Sequence, residues 1–187
     1  MNLRTLLLLA LFSLAPWVWA AEPAAQIDAL HEVLIKAMKH GGTASERVGI
    51  VEKVVVDNFD FESIAKVSVG REWQKIGADG QKKIVDLLRQ LSLATYADRF
   101  DSFENQKFVS EGEVKGKSGT VVKSHILRSN GEKVSLHYYF RNGRIFNVVA
   151  DGVSDLALRR ADYGSILRRE GFPALLAHIE RNIEELR

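Results

Sequence analysis

The sequence predicts an α+β domain, and three observations carry that prediction. Apolar residues follow helical spacing up to about Phe103, alternate from Lys107 to Asp151, and return to helical spacing after Gly152. Asn142-Gly143, the strongest short-range hairpin signal, falls inside the alternating stretch. No linker, repeat or low-complexity segment interrupts the order. Helices, an antiparallel meander and helices again therefore belong to one domain.

The chain opens on a leader. Arg4 supplies a positive charge, Thr5 to Val18 is almost wholly apolar, and Val18-Trp19-Ala20-Ala21 ends the run before Glu22 and Pro23. A basic start, a short apolar core and small residues at a cut describe a secretory signal peptide. The run is short for a membrane span, which takes roughly 20 residues. Residues 1–20 are thus expected to leave, and residues 21–187 to remain as one domain. The chain has no cysteine, which excludes disulfides, thiolate chemistry, cysteine-ligated zinc and a lipid-anchored lipoprotein. Of the 26 Lys and Arg, Arg4 lies in the leader, leaving 25 against 24 acidic residues. That balance gives no reason to invoke nucleic acid or bulk attraction to anionic membrane.

The elements follow in order. Ile27, Leu30, Leu34 and Met38 mark a helix over Ala24 to Lys39, stopped by Gly41-Gly42. Thr43 and Glu46 stand in a capping-box relation ahead of a second helix, Ser45 to Asn58, although Val54-Val55-Val56 alone reads as strand. Asp60 caps a short helix through Val67, ended by Gly70. A long helix runs from Ala78 or Asp79 to about Phe103. Phe108 to Val114, Thr120 to Arg128, Lys133 to Arg141 and Arg144 to Asp151 read as four strands, with a further turn at Asn130-Gly131. Two helices close the chain, Asp155 to Glu170 and Pro173 to the end, parted by Gly171.

Two elements are more apolar than one core requires. On the long helix, Ile84, Leu87, Leu88, Leu91 and Ala94 form one stripe, and Leu93, Tyr96, Phe100 and Phe103 another nearly opposite. On the last hairpin, alternation puts Val134, Leu136, Tyr138, Phe140, Ile145 and Val149 on one face, with Tyr139, Phe146 and Val148 on the other. Either the flanking helices cover both faces, or an internal cavity takes an apolar ligand. The five histidines (His31, His40, His125, His137 and His178) show no metal-binding spacing, and no nucleophile elbow or phosphate-binding loop occurs. From Ser154 onward six arginines face six carboxylates, the composition of a mixed, solvated helix surface.

At Asn58-Phe59-Asp60-Phe61-Glu62-Ser63-Ile64-Ala65, followed by Gly70-Arg71-Glu72-Trp73, the sequence resembles the toluene-tolerance family, periplasmic lipid carriers of the maintenance-of-lipid-asymmetry system. The likeness continues through Gln81 and Thr95-Tyr96-Ala97-Asp98-Arg99-Phe100. It returns at Asp151-Gly152-Val153-Ser154 and along Arg160, Tyr163, Ile166, Gly171 and Leu175-Leu176. The family commonly has a Trp and an Asp in the strand before its Gly-Val-Ser turn, where this chain has Gly143 to Ala150. Ala150 to Leu158 looks more like the branch associated with hopanoid biosynthesis.

The resemblance implies a curved four-stranded antiparallel sheet packed with helices around an apolar lipid pocket, in a monomer without cofactor, metal or catalysis. It implies phospholipid as cargo, with a hopanoid or related polycyclic lipid as the alternative. Its partners would be an inner-membrane ABC transporter complex and an outer-membrane lipoprotein complex. A ligand-free adaptor, or an enzyme with a carboxylate or histidine inside the pocket, are the competing classes. Together with the doubly apolar elements, the resemblance nominates pocket residues. They are Trp73, Leu88, Leu91 and Tyr96 in the first half, Val122, Ile126, Leu136, Tyr138, Phe140, Phe146 and Val148 on the strands, and Ile166 near the end.

Val18 and Ala20 suit the third and first positions before a cut. Intact-mass analysis of protein from the cell envelope should give a chain starting at Ala21; an unprocessed Met1 there would defeat the exported, soluble reading.

Overall fold

The computed structural model describes residues 22–117 and 119–187, so the leader and its cut lie outside the described residues. Helices, strands and helices follow in the expected order: α1 (Pro23–His40), α2 (Ala44–Asn58), α3 (Phe61–Val69), α4 (Ala78–Arg99), β1 (Lys107–Gly116), β2 (Gly119–Leu127), β3 (Lys133–Arg141), β4 (Arg144–Ala150), β5 (Val153–Ser154), α5 (Asp155–Arg169) and α6 (Phe172–Glu185). No described helix is long and apolar enough to cross a membrane.

Local chemistry sets the helix ends. Thr43 and Glu46 form the capping box in full, and the Asp60 carboxylate accepts from the Ser63 N–H at 2.9 Å. Val54-Val55-Val56 stays helical because Val51 and Val55 bury on one face of α2. Gly70 ends α3 at φ 59°, and the chain continues as a 3-10 helix, Gly70–Lys75, that the periodicity does not announce. The long helix stops at Arg99, short of the expected Phe103.

The sheet is an antiparallel meander in the order β1-β2-β3-β4-β5, five strands and not four. The fifth is two residues long, too short to show alternation. Asp151 and Gly152 (φ 47° and 79°) form a tight turn pairing Ala150 with Val153, just as Asn142 and Gly143 (φ 50° and 75°) join β3 to β4.

The pairing corrects the expected faces of β4. Tyr139 pairs with Asn147 but Phe140 pairs with Ile145, so Phe146 is an extra residue, a β-bulge. Beyond it the parity reverses. Val148 pairs with Tyr138 and Ala150 with Leu136, on the inner face; Val149 pairs with His137, on the outer face. The hairpin is therefore not doubly apolar. Its outer side carries His137, Tyr139 and Val149, all half-buried.

Helices α1, α2, α4 and α6 pack as a layer, α1 touches β1 and β2, and α3 and α5 cover β4. The core gathers Ile27, Leu30 and Leu34 of α1, Ile84 and Leu88 of α4, and Leu175 and Ile179 of α6, all fully buried. One buried cation joins three segments. Arg47 donates through Nε to the Ala97 carbonyl at 2.7 Å and through Nη1 to the Gly42 carbonyl at 2.7 Å and the Gly41 carbonyl at 3.3 Å. It thereby ties the α1–α2 turn to the end of α4, where the site begins.

Arg47→Met keeps the apolar stem but leaves those carbonyls without their donor, a loss of about 2–3 kcal/mol. Thermal melts should show the midpoint lowered by roughly 5–10 °C for a chain of this size; an unchanged melt would mean water replaces the guanidinium freely.

Candidate functional site

A cavity of about 470 Å³ lies between the inner face of the sheet, the last two turns of α4 and the start of α5. That volume falls in the usual range for small-molecule sites. The sheet contributes Ile126, Val134, Leu136, Tyr138, Phe146, Val148 and Ala150. Apart from Phe146 at the bulge, these residues occupy the half of the inner face nearest the β2–β3 turn, since Ile126 pairs with Val134 and Leu136 with Ala150. The other half is closed. Phe59 bridges to Ile145, and the Asp60 N–H donates to the Ile145 carbonyl at 2.8 Å, holding the start of α3 against the bulge.

Helix α4 presents Ser92, Thr95, Tyr96 and Arg99 to the cavity, a single face by their spacing, with Phe100 just past the helix end. The two stripes thus have different partners. Ile84, Leu87, Leu88 and Leu91 are buried in the core, whereas Tyr96 and Phe100 line the cavity. Phe103 belongs to neither, lying off the helix under the Lys39 ammonium, 4.8 Å away. An aromatic chain continues along this wall, with Tyr96 edge-on to Phe59 and stacked on Phe100, at centroid distances of 5.8 and 5.9 Å.

Six nominated residues reach the cavity: Tyr96, Ile126, Leu136, Tyr138, Phe146 and Val148. Six do not. Leu88 and Leu91 face the helical layer, and Trp73 lies in the 3-10 helix, where its carbonyl accepts from the Gln81 amide at 2.9 Å. Val122 and Phe140 share the inner sheet face but are buried within the core, as is Ile166 of α5. Reasoning from sequence missed Phe59, Ile64, Leu156, Leu158 and the polar rim. Phe59 and Ile64 stand in the family-like Phe-Asp-Phe segment, and Phe100 stands in the second stripe; those were the available signals.

The rim is cationic. Arg99, Arg128 and Arg159 line the cavity together with one carboxylate, Asp155, whose Oδ2 accepts from Arg159 Nε at 2.8 Å. The solvated-surface reading fails at Arg159, whose side chain is only 12% exposed. Burial raises the Tyr96 hydroxyl pKa; the Asp155 charge adds to the rise, and Arg99 and Arg159 oppose it. Burial likewise holds Tyr138 well above the usual phenol range. Both hydroxyls therefore stay protonated. Tyr138 does not offer its hydroxyl freely, because His31 Nε2 sits 3.1 Å from it, with the imidazole stacked on Phe108 at 4.0 Å. No group of three or more metal-ligating side chains is found among the described residues.

Comparison with known proteins agrees with this architecture. The family model described as MlaC protein matches residues 25–181. A phospholipid-binding protein from Ralstonia solanacearum, solved in complex with a phospholipid, superposes with a TM-score of 0.76 at 20% sequence identity, covering 89% of this chain and 99% of that one. No curated protein matches in sequence.

Burial lowers the His31 pKa from 6.5 to about 4. As pH falls the unfolded chain takes the proton first, so His31 costs stability between pH 6.5 and about 4, and nothing further below. The size of that loss is about 3 kcal/mol. Denaturant titrations across this window should show the step in the wild type and not in His31→Gln; parallel profiles would place the pH response elsewhere.

Proposed function

The chain belongs to the MlaC protein family, and from that premise we propose that it is a periplasmic lipid carrier, exported by its leader and retained as one lipid-binding domain over residues 21–187. It shuttles phospholipid between the inner and outer membranes, exchanging cargo with an inner-membrane ABC transporter complex and an outer-membrane lipoprotein complex. One observation carries the lipid-binding part: a cavity of about 470 Å³ lined chiefly by apolar side chains. A ligand-free adaptor would fill that space with side chains. An enzyme would keep a working acid or base inside it, whereas Asp155 is held in an ion pair with Arg159, and His31 stands behind Tyr138. The phospholipid bound to the Ralstonia protein makes phospholipid the first cargo here.

The energetics suit a shuttle. Burial of acyl chain from water is worth about 0.8 kcal/mol per CH₂. Two chains of roughly 15 carbons would then gain about 24, beyond the ceiling of about 18–21 for noncovalent affinity. Leaving a bilayer costs a similar amount, so transfer between membrane and pocket is nearly neutral. A polycyclic lipid of the hopanoid type is a second reading with its own support. Within the hopanoid-like segment, Ala150, Val153, Asp155, Leu156 and Leu158 all line the cavity. Extraction and mass spectrometry of the lipid that co-purifies from cells making both classes decides between them.

Filling the cavity should abolish lipid binding without unfolding the protein. Overpacking a filled core typically costs about 1–3 kcal/mol, but Val148→Trp and Leu136→Trp place their rings where acyl chain would lie. Both delipidated variants should melt near the wild type and carry much less lipid after purification. Two destabilised variants with full lipid would return these positions to ordinary core. A wild type that never carries lipid would end the carrier reading.

A further inference from the structure

The cavity's charge is one-sided. Three arginines line it against a single carboxylate, and that carboxylate is already engaged. A pocket for hydrocarbon alone has no use for guanidinium groups, which are expensive to bring out of water unless paired. Arg159 is the informative one. Its Nε is satisfied by Asp155 at 2.8 Å and its guanidinium also has the Tyr163 hydroxyl beside it, yet its Nη1 is buried without a hydrogen-bond partner among the described residues. A guanidinium carries five donors in a fixed fork that fits carboxylate and phosphate oxygens. A buried donor on such a fork is rarely left without an acceptor.

The other two arginines extend the pattern outward. Arg99, on the exposed last turn of α4, makes no ion pair or hydrogen bond among the described residues, and Arg128 shares its charge with Glu132 at 2.9 Å. Both also line a second, polar recess of about 380 Å³, walled by Ser102, Glu104, Gln106, Ser129 and Asn130. Apolar cavity and polar recess thus meet at two arginines, the layout that suits an amphiphile with an anionic junction between its halves.

We propose that this protein recognises the phosphate of its lipid, with Arg159 as the buried anchor and Arg99 and Arg128 guiding the headgroup into the polar recess. The inference rests on the carrier reading and deepens it by naming the side chains that would hold the headgroup phosphate. A neutral polycyclic lipid would leave the arginine donors unanswered and should bind less well. Free phosphate shares the chemistry of the headgroup, so the test must separate the two.

The test uses delipidated wild type, Arg159→Met and Arg159→Lys. Each is titrated with dioleoylphosphatidylglycerol and with dioleoylglycerol, which has the same chains but no phosphate, by displacement of a neutral apolar fluorophore. Hydrogen bonds to charged groups correspond to a preference of about ten- to a hundredfold for the phospholipid. Arg159→Met should bring that ratio close to one, with phospholipid losing far more affinity than dioleoylglycerol, and Arg159→Lys should keep much of it. Inorganic phosphate that competes against the phospholipid alone would show the site accepting free phosphate as well; no competition would assign it to the tethered headgroup. Equal affinity of the wild type for both lipids overturns the proposal, whatever the variants do. So does an equal loss for both lipids in Arg159→Met, which would make Arg159 a structural residue. A wild type that binds neither lipid fails the carrier reading instead.

Discussion

One extra residue in β4 decides what the inner face of the sheet presents. Because Phe140 faces both Ile145 and Phe146 across the ladder, every side chain of β4 beyond the bulge changes sides. Without it, Val149 would point inward and Val148 and Ala150 outward, and the cavity wall opposite Tyr96 would be lost. The bulge is itself held in place. The start of α3 docks on it through the Asp60 N–H and the Phe59 bridge to Ile145, so the helix that closes one half of the sheet also secures the register of the other.

That arrangement explains why a cavity survives in a domain of this size. Helix α4 spends one stripe on the helical layer and ends at Arg99, so its second stripe meets the sheet only near its C-terminal end. Arg47 keeps the end of α4 where it is by satisfying the Ala97 carbonyl and both glycine carbonyls of the preceding turn. The space is thus a consequence of how the elements are propped apart, not of missing apolar residues.

Polar groups are distributed to match. On the strands the cavity wall carries one hydroxyl, Tyr138, and it is answered from behind by a histidine that burial keeps neutral. Among the three arginines of the lining, Asp155 pairs with Arg159 and Glu132 with Arg128, and Arg99 makes no ion pair among the described residues. An interior that is apolar and a rim that is cationic define the chemistry of a ligand more narrowly than either does alone.

Much of this was legible in the sequence. Helical spacing, the Thr43–Glu46 box, Asp60 and the Asn142-Gly143 turn located the six α-helices and the four longer strands, because these signals act between residues a few positions apart. The second apolar stripe of α4 already held Tyr96 and Phe100, and the strands already held Ile126, Leu136 and Tyr138. Tertiary structure alone decided the rest. Alternation assumes an unbroken pleat, so the bulge at Phe146 reversed the assignment of Val148 and Val149 without any change in hydrophobicity. Leu88, Val122 and Phe140 are as apolar as the lining residues, and only their neighbours in space make them core. Arg159 looked like one of many surface arginines, and its burial beside the cavity depends on where α5 lies against β4. Whether an apolar side chain meets another or a void, and whether a charge meets water, are properties of contacts between distant segments, which no local pattern records.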